Sequence, residues 1–202
     1  QNFGAGGIMT KDVRRSEYYA PNYVGGMALQ PDGKIVINGQ NLMPYEYGID
    51  SSFILRLNPE GTTDNGFGAN GVVFIAEPAE ISRGLASALA LQDNGKILTA
   101  GMRGGVFAVA RYLANGALDA SFGAGGIVTT QIGANPGFDT IFSLALQPDG
   151  KLVAAGSVKN SAGSHEPALA RFQTASFALR PNGKIAFTSY RDGNAEIYVM
   201  NS

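Results

Sequence analysis

The chain contains a single histidine, His165, which makes it the first residue to consider as a catalytic base. Ser164 precedes it, and Asp139 or Glu166 would supply the carboxylate of a Ser-His-acid arrangement for nucleophilic catalysis. No nucleophile-elbow sequence accompanies these residues, and a histidine in a Gly/Ser-rich loop is usually solvated. We therefore predict no catalytic residue in this segment.

Anion binding is suggested by three arginines that recur at one position of a predicted strand, Arg56, Arg111 and Arg171. They would hold an anion if they faced a shared channel. The alternative, which we favour, is that each arginine pairs with a carboxylate or stacks on an aromatic ring within its own unit. Gly-Ala-Gly-Gly segments at 4–7 and 123–126 look like phosphate loops, but those loops open a helix. A strand is predicted to follow here, so turns or bulges explain the glycines better.

Metal chemistry has one candidate, the segment Asp192-Gly-Asn-Ala-Glu196. It carries calcium-like oxygen ligands but lacks the full spaced loop, and it fits a hairpin turn better. The chain has no cysteine, which excludes disulfides, thiolate zinc sites and cysteine nucleophiles. We predict no metal site and no cofactor.

The bulk composition excludes several classes of partner. Among 202 residues only 15% are charged and the net charge is −1, so the clustered basic surface that nucleic acid requires is missing. No apolar run approaches the roughly 18 residues of a membrane-spanning helix. The first residue, Gln1, is compatible with removal of a signal peptide. The 28 glycines indicate many tight turns and therefore many short strands.

Two motifs repeat along the chain. The first, Ala-Leu-Gln-Pro-Asp-Gly-Lys and close variants, occurs at 28–34, 90–96, 145–151 and 178–184. The second, Phe-Gly-Ala-x-Gly followed by Ile or Val, occurs at 3–8, 67–72 and 122–127. Pro presets φ, Asp or Asn caps the turn and Gly accepts positive φ, so each copy of the first motif predicts a hairpin turn between apolar strands.

The repeats predict an all-β fold, a small β-propeller of about four blades with four antiparallel strands each. Second strands such as Ile35-Val-Ile37 are apolar on both faces, as expected where stacked blades cover them. We treat 1–202 as a single repeat domain. Its approximate blades are 11–74, 75–130, 131–174 and 175–202 together with 1–10.

The chain opens with a fourth-strand element and closes with three strands. Joining the two termini in one blade would close the ring and remove exposed edges; a truncated longer array is the rival explanation. The third copy passes from Arg171-Phe172 directly into the final hairpin without its own Phe-Gly-Ala-Gly-Gly strand. Three blades plus a closing piece is therefore an alternative count.

The repeated unit resembles the delta-60 repeat of bacterial secreted and surface proteins, most completely at 107–130 and 145–172. The tail at 184–201 resembles a TolB-type propeller repeat. The resemblance implies a β-propeller in the bacterial cell envelope or secreted fraction. Delta-60 repeats imply no shared activity, and TolB-like propellers are periplasmic interaction modules.

Strand parity places the long connections of an up-and-down blade at one end and the short turns at the other. The long connections are 11–26, 39–52, 75–87, 131–141 and 157–167. Five tyrosines lie on two of them, Tyr18, Tyr19, Tyr23, Tyr45 and Tyr47. Binding residues are common on such loops over a rigid frame, where aromatic rings stack on sugars or anchor a protein. The alternative is that these rings pack the insertions onto the propeller.

We therefore expect a non-enzymatic binding module that presents its loop-rich face to a protein or glycan, in a secreted, periplasmic or cell-surface location. The alternatives are a glycan-processing enzyme with paired carboxylates about 5–10 Å apart, and a purely structural repeat segment. The carboxylates of the loop-rich face are Asp12, Glu17, Glu46, Asp50, Glu77, Glu80, Asp139 and Glu166. Their sequence spacing selects no pair. The oligomeric state is not predicted.

Overall fold

The computed structural model describes residues 3–13, 22–41, 51–75, 84–133, 139–174, 184–189 and 196–201. These ranges contain thirteen β-strands and no helix. The strands are β1 (Asn22–Leu29), β2 (Ile35–Asn41), β3 (Ser51–Leu57), β4 (Val72–Ile75), β5 (Ala88–Leu91), β6 (Ile97–Arg103), β7 (Val106–Tyr112), β8 (Ile127–Thr130), β9 (Thr140–Leu146), β10 (Leu152–Lys159), β11 (His165–Phe172), β12 (Lys184–Ser189) and β13 (Glu196–Asn201).

The strands form three antiparallel sheets in which chain neighbours are also spatial neighbours. The first sheet has the order β1-β2-β3-β4 and the second has the order β5-β6-β7-β8. The third continues from β9 through β13 in one five-stranded sheet. Four strands in simple up-and-down order are the unit of a propeller blade, so the predicted all-β propeller architecture is confirmed.

Three of the four predicted hairpin turns, at 28–34, 90–96 and 145–151, are present between the first two strands of their sheets. The fourth, at 178–184, lies almost entirely outside the described residues. In the first copy the Gly33 amide donates to the Gln30 carbonyl, and the Gln30 amide donates to the Lys34 carbonyl. Asp32 caps the turn by accepting from the Lys34 amide at 3.1 Å. Gly33 has a φ of +84°, which only glycine adopts without strain.

Apolar cores lie between consecutive sheets. We call the face that packs on the preceding sheet the leading face, and the face that packs on the following sheet the trailing face. Val36 and Ile54 on the first trailing face share a core with Ile97 on the second leading face. A second core joins Leu98 to Leu152 of the third sheet. Ile97 and Leu98 are adjacent and both fully buried, as a strand covered on both faces requires.

The N-terminal segment lies against the first sheet. The Gly4 amide donates to the Glu60 carbonyl at 2.9 Å, just as the Gly68 amide donates to the Asn115 carbonyl at 3.0 Å. Residues 67–72 of the first repeat thus contact the second sheet, and residues 3–8 contact the first sheet at the equivalent place. This is where the fourth-strand element of a preceding blade belongs.

The final hairpin does not meet this segment. β12 pairs with β11, with Leu169 opposite Thr188 and Ala170 opposite Phe187. In the described ranges no hydrogen bond joins residues 3–10 to β12 or β13, so hydrogen bonds do not close the ring. The physical reason is the missing Phe-Gly-Ala-Gly-Gly element of the third repeat, which leaves the edge of β11 free for β12. The last two strands thus extend the third sheet instead of building a separate one.

Candidate functional site

The two ends of the sheets differ in how their connections are built. The turn end carries the hairpin turns 30–34 and 92–96 and the tight turns 58–61 and 113–116, all closed by backbone hydrogen bonds. The loop end carries the connections between second and third strands and between sheets. Two of these are short: the β6–β7 turn at Gly104-Gly105 and the β10–β11 turn at 160–164. The second was predicted as the long connection 157–167, but the strands extend to Lys159 and from His165, and backbone hydrogen bonds close the turn between them. Most of the remainder, at 14–21, 42–50, 76–83 and 134–138, lies outside the described residues.

Arg56 is held at the turn end by partners inside the protein. Its Nε donates to Asp64 Oδ2 at 2.7 Å, and its guanidinium stacks 4.5 Å above the centre of the Phe67 ring. Its Nη1 donates to the Ala114 carbonyl of the next sheet at 2.5 Å. Lys34 contributes a second cation, 3.0 Å from Asp64.

The same arrangement recurs one unit later. Arg111 is 1% exposed; its Nε donates to Asp119 Oδ2 at 2.8 Å, and it stacks 4.6 Å from the centre of Phe122. Its Nη1 donates to the Thr174 carbonyl of the third sheet. Lys96 lies 2.8 Å from Asp119. We call each set of arginine, aspartate and phenylalanine an inter-sheet lock, because its arginine bonds to the backbone of the next sheet.

The third arginine has no such surroundings. Arg171 is exposed, since the third repeat lacks the Asp and Phe of the missing element. Lys151, which corresponds to Lys34 and Lys96, pairs instead with Asp149 of its own turn. The structure therefore gives the first two arginines the internal partners that the pairing hypothesis expected. It brings none of the three into a common anion site.

Electrostatics favour the charged form of both lock carboxylates. The hydrogen bond from Lys34 is the main cause that lowers the pKa of Asp64, with the Gly66 amide and Arg56 adding to it against the cost of burial. Burial alone would raise the pKa of Asp119. Hydrogen bonds from Lys96 and Ser121 and the charge of Arg111 outweigh it and hold that pKa far below its usual range.

Among the predicted binding tyrosines the structure describes Tyr23 alone. Its side chain is 54% exposed at the start of β1, which is the loop end of the first sheet. Tyr18, Tyr19, Tyr45 and Tyr47 lie outside the described residues. The packing alternative expected buried rings, and Tyr23 does not fit that expectation.

Asp139 is a structural residue of the loop end. It is fully buried; one carboxylate oxygen accepts from the Gly133 amide and the other from the Lys159 amide, each at 3.0 Å. Its own amide donates to the Gly105 carbonyl. The two carboxylate oxygens and the amide of Asp139 thus join three loop-end connections, and each of the two oxygens already accepts a backbone hydrogen bond.

The other candidates for chemistry are dispersed. His165 Nδ1 lies 3.3 Å from Ser157 Oγ on the exposed surface. Glu166 is half-buried beside it, and Asp12 lies on the N-terminal segment. The remaining loop-face carboxylates, Glu17, Glu46, Asp50, Glu77 and Glu80, lie outside the described residues, as do Asp192 and Asn194.

The described residues hold no group of three metal-ligating side chains. They also include no helix of the length and hydropathy needed to cross a membrane. The Gly-Ala-Gly-Gly segment at 123–126 leads into strand β8, as predicted, with positive φ at its three glycines.

A small cavity of about 280 Å³ opens at the turn end between the second and third sheets. Lys96, Arg111, Gln92 and Thr174 line it together with Asp149. Lys96 and Arg111 are already paired with Asp119, so this cavity offers no unpaired cation for a ligand.

Sequence reasoning missed the lock partners Asp64 and Asp119. They recur eight residues after the arginines, three residues before the phenylalanine of the second motif. That fixed spacing was a detectable signal, because an Asp that recurs with an Arg across an apolar repeat indicates a buried pair.

The chain is similar to a family described as a domain of unknown function (DUF5122) beta-propeller, which matches residues 30–67, 92–122 and 147–175. Each match begins at the Gln of the first motif, and together the three cover just under half of the chain. No curated protein matches the chain significantly. The predicted propeller repeat is confirmed, whereas its finer assignment to delta-60 and TolB-like repeats stays a prediction.

Proposed function

We propose that this chain is a non-enzymatic interaction module that presents the loop end of its sheets to a glycan or a protein. The observation that carries the proposal is the contrast between the two ends. At the turn end, Arg56 and Arg111 donate hydrogen bonds to partners inside the protein. At the loop end Tyr23 leaves more than half of an aromatic side chain exposed.

An exposed tyrosine on a rigid strand suits recognition. Tyrosine offers a large, amphipathic contact area at low cost in conformational entropy, because only two side-chain torsions must be fixed. Its ring stacks on sugars, and its hydroxyl hydrogen-bonds at the rim of a contact. Tyr23 is held by β1, whose ladder to β2 begins with Asn22 opposite Asn41 and Tyr23 opposite Gln40.

We further propose a location in the bacterial cell envelope or secreted fraction. Support comes from the resemblance of the repeats to delta-60 units of secreted and surface proteins and of the tail to TolB-type repeats. Among the described loop-face carboxylates, Asp139 lends the enzyme alternative no support, because both of its oxygens accept hydrogen bonds from backbone amides.

A glycan-array screen of the purified chain tests the proposal, followed by capture of purified envelope proteins. The test variant replaces Tyr18, Tyr19, Tyr23, Tyr45 and Tyr47 by Ala, and the matched control is Leu118→Ala, an exposed apolar side chain near the turn end. Saturable binding that the tyrosine variant loses and the control keeps would support the proposal. Binding unaffected by the tyrosine changes, or no saturable binding in either screen, would overturn it.

A further inference from the structure

The leading face of the first sheet carries an exposed apolar strip. Leu29 is 67% exposed and Met27 is 66% exposed on β1. The register places Met27 opposite Ile37 and Leu29 opposite Ile35. All four side chains therefore share one face, which we call the leading strip. Ile35 and Ile37 are half-buried, because they pack against the cluster that contains Val13 and Met9, whereas Met27 and Leu29 are not part of that cluster.

The equivalent positions of the other two sheets are covered. Leu91 and Ile97 correspond to Leu29 and Ile35, and both pack in the core against the first sheet. Leu146 and Leu152 hold the same positions in the third sheet and pack against the second. In the second and third sheets, the positions equivalent to the leading strip are therefore covered by the trailing face of the preceding sheet.

The complementary trailing face of the third sheet also carries an exposed apolar side chain. Leu169 on β11 is 46% exposed and lies opposite Ala155. Val153, two residues before Ala155 on β10, shares this face and is half-buried. The corresponding residues of the second sheet, Val109 and Leu98, are fully buried against the third. Among the described residues, the first leading face and the third trailing face thus carry exposed apolar side chains at positions that pack against each other between consecutive sheets.

The three described sheets are too few to bring these surfaces together, because propellers close with about four to eight blades. Two copies of the described sheets would supply six. We infer that a second copy of this chain covers the leading strip with its third sheet, and that the reciprocal contact closes a six-bladed ring. Such a head-to-tail contact joins two different surfaces and forms a closed ring when the rotation between the copies permits it.

Two further features fit this partner. Residues 3–8 already supply to the first sheet the glycine-rich turn that the third repeat lacks, through the Gly4 to Glu60 bond. Arg56 donates to the Ala114 carbonyl and Arg111 donates to the Thr174 carbonyl, and each acceptor belongs to the next repeat. The matching carbonyl on the first sheet is that of Pro59, so exposed Arg171 would have an equivalent acceptor in the second copy. This surface is distinct from the loop end, and the inference does not depend on the proposed function.

The test is the mass of the native chain by light scattering across a dilution series, with the variants Leu29→Asp and Leu169→Asp. The wild type is expected at twice the chain mass of 21.0 kDa, and each variant at 21.0 kDa. The control Leu118→Asp, an exposed apolar residue of the middle repeat, should keep the wild-type mass. Circular dichroism and a melting curve check that every variant is folded, since both test residues are exposed.

Mixing the two variants sharpens the test. The Leu169→Asp variant keeps its leading strip and the Leu29→Asp variant keeps its trailing face. A head-to-tail contact between these two intact surfaces predicts partial recovery of the doubled mass. A wild type that stays at 21.0 kDa at every concentration would overturn the inference. A doubled mass that survives both Asp substitutions, or fails to recover on mixing, would overturn it as well.

Discussion

The inter-sheet lock around Arg111 makes a quantitative prediction about stability. Arg111→Ala removes the bond to Asp119, the donation to the Thr174 carbonyl and the contact with Phe122. Removal of one partner from a buried ion pair costs about 3–5 kcal/mol in free energy of unfolding. Asp119 keeps Lys96 and Ser121 as partners, so we expect the lower end of that range, about 3 kcal/mol.

Arg171→Ala is the matched control, because Arg171 holds the same repeat position on an exposed surface. Surface substitutions of this kind change the free energy of unfolding by no more than about 0.5 kcal/mol. For a chain of this size 1 kcal/mol corresponds to about 2–4 °C in melting temperature. Arg111→Ala should therefore melt about 6–12 °C below the wild type, and Arg171→Ala within about 2 °C of it.

The assay is thermal and urea unfolding followed by far-ultraviolet circular dichroism, because the chain has no tryptophan. Arg56→Ala should reproduce the larger loss, since Arg56 makes the same bonds in the first lock. Equal melting temperatures for Arg111→Ala and Arg171→Ala would refute the reasoning that the buried guanidinium joins neighbouring sheets.

Three further predictions concern acid stability, sheet packing and the loop end. The pKa of Asp119 is lower in the folded chain than its unfolded value of about 3.9. Ionised Asp119 therefore contributes fully to the free energy of unfolding above about pH 3.9, and this contribution is lost as the pH falls from there toward the folded pKa. Asp119→Asn should be less stable at neutral pH, and its urea midpoint should fall less on acidification to about pH 3. Gly25→Ala would place a Cβ 1.9 Å from the Ala86 carbonyl oxygen, and a melting curve should show a loss of about 1–3 kcal/mol; an unchanged curve would contradict this packing. Asp139→Ala leaves the Gly133 and Lys159 amides without their carboxylate, so amide exchange should accelerate at both residues, whereas unchanged exchange would contradict the bridging role.

Much of the fold followed from the sequence because the turn chemistry repeats. Each Pro-Asp-Gly or Asp-Asn-Gly copy with described geometry forms the expected hairpin, and the apolar runs at Ile35 and Leu152 are strands. These are local properties, decided by φ preferences and by alternation along a few residues. The position of the last hairpin is not local. It depends on which sheet edge is free, and this edge became available because the third repeat lacks its fourth strand.

The candidate site was less predictable for a similar reason. Strand parity placed Tyr23 at the loop end, and the exposed ring lies there. The same pattern could not show that Asp139 is buried with both oxygens bonded, because its partners are backbone amides that no residue type reveals. The leading strip also needed the structure, since Leu29 and Leu91 look alike in sequence and differ only in whether a sheet covers them.

Hydrogen–deuterium exchange with and without a saturating ligand from the binding screens locates the binding surface. A ligand bound at the loop end slows exchange around residues 22–26 and leaves exchange unchanged at the turns 30–34, 58–61 and 113–116. Protection confined to those turns, with residues 22–26 unaffected, would contradict the claim that the loop end is the binding surface.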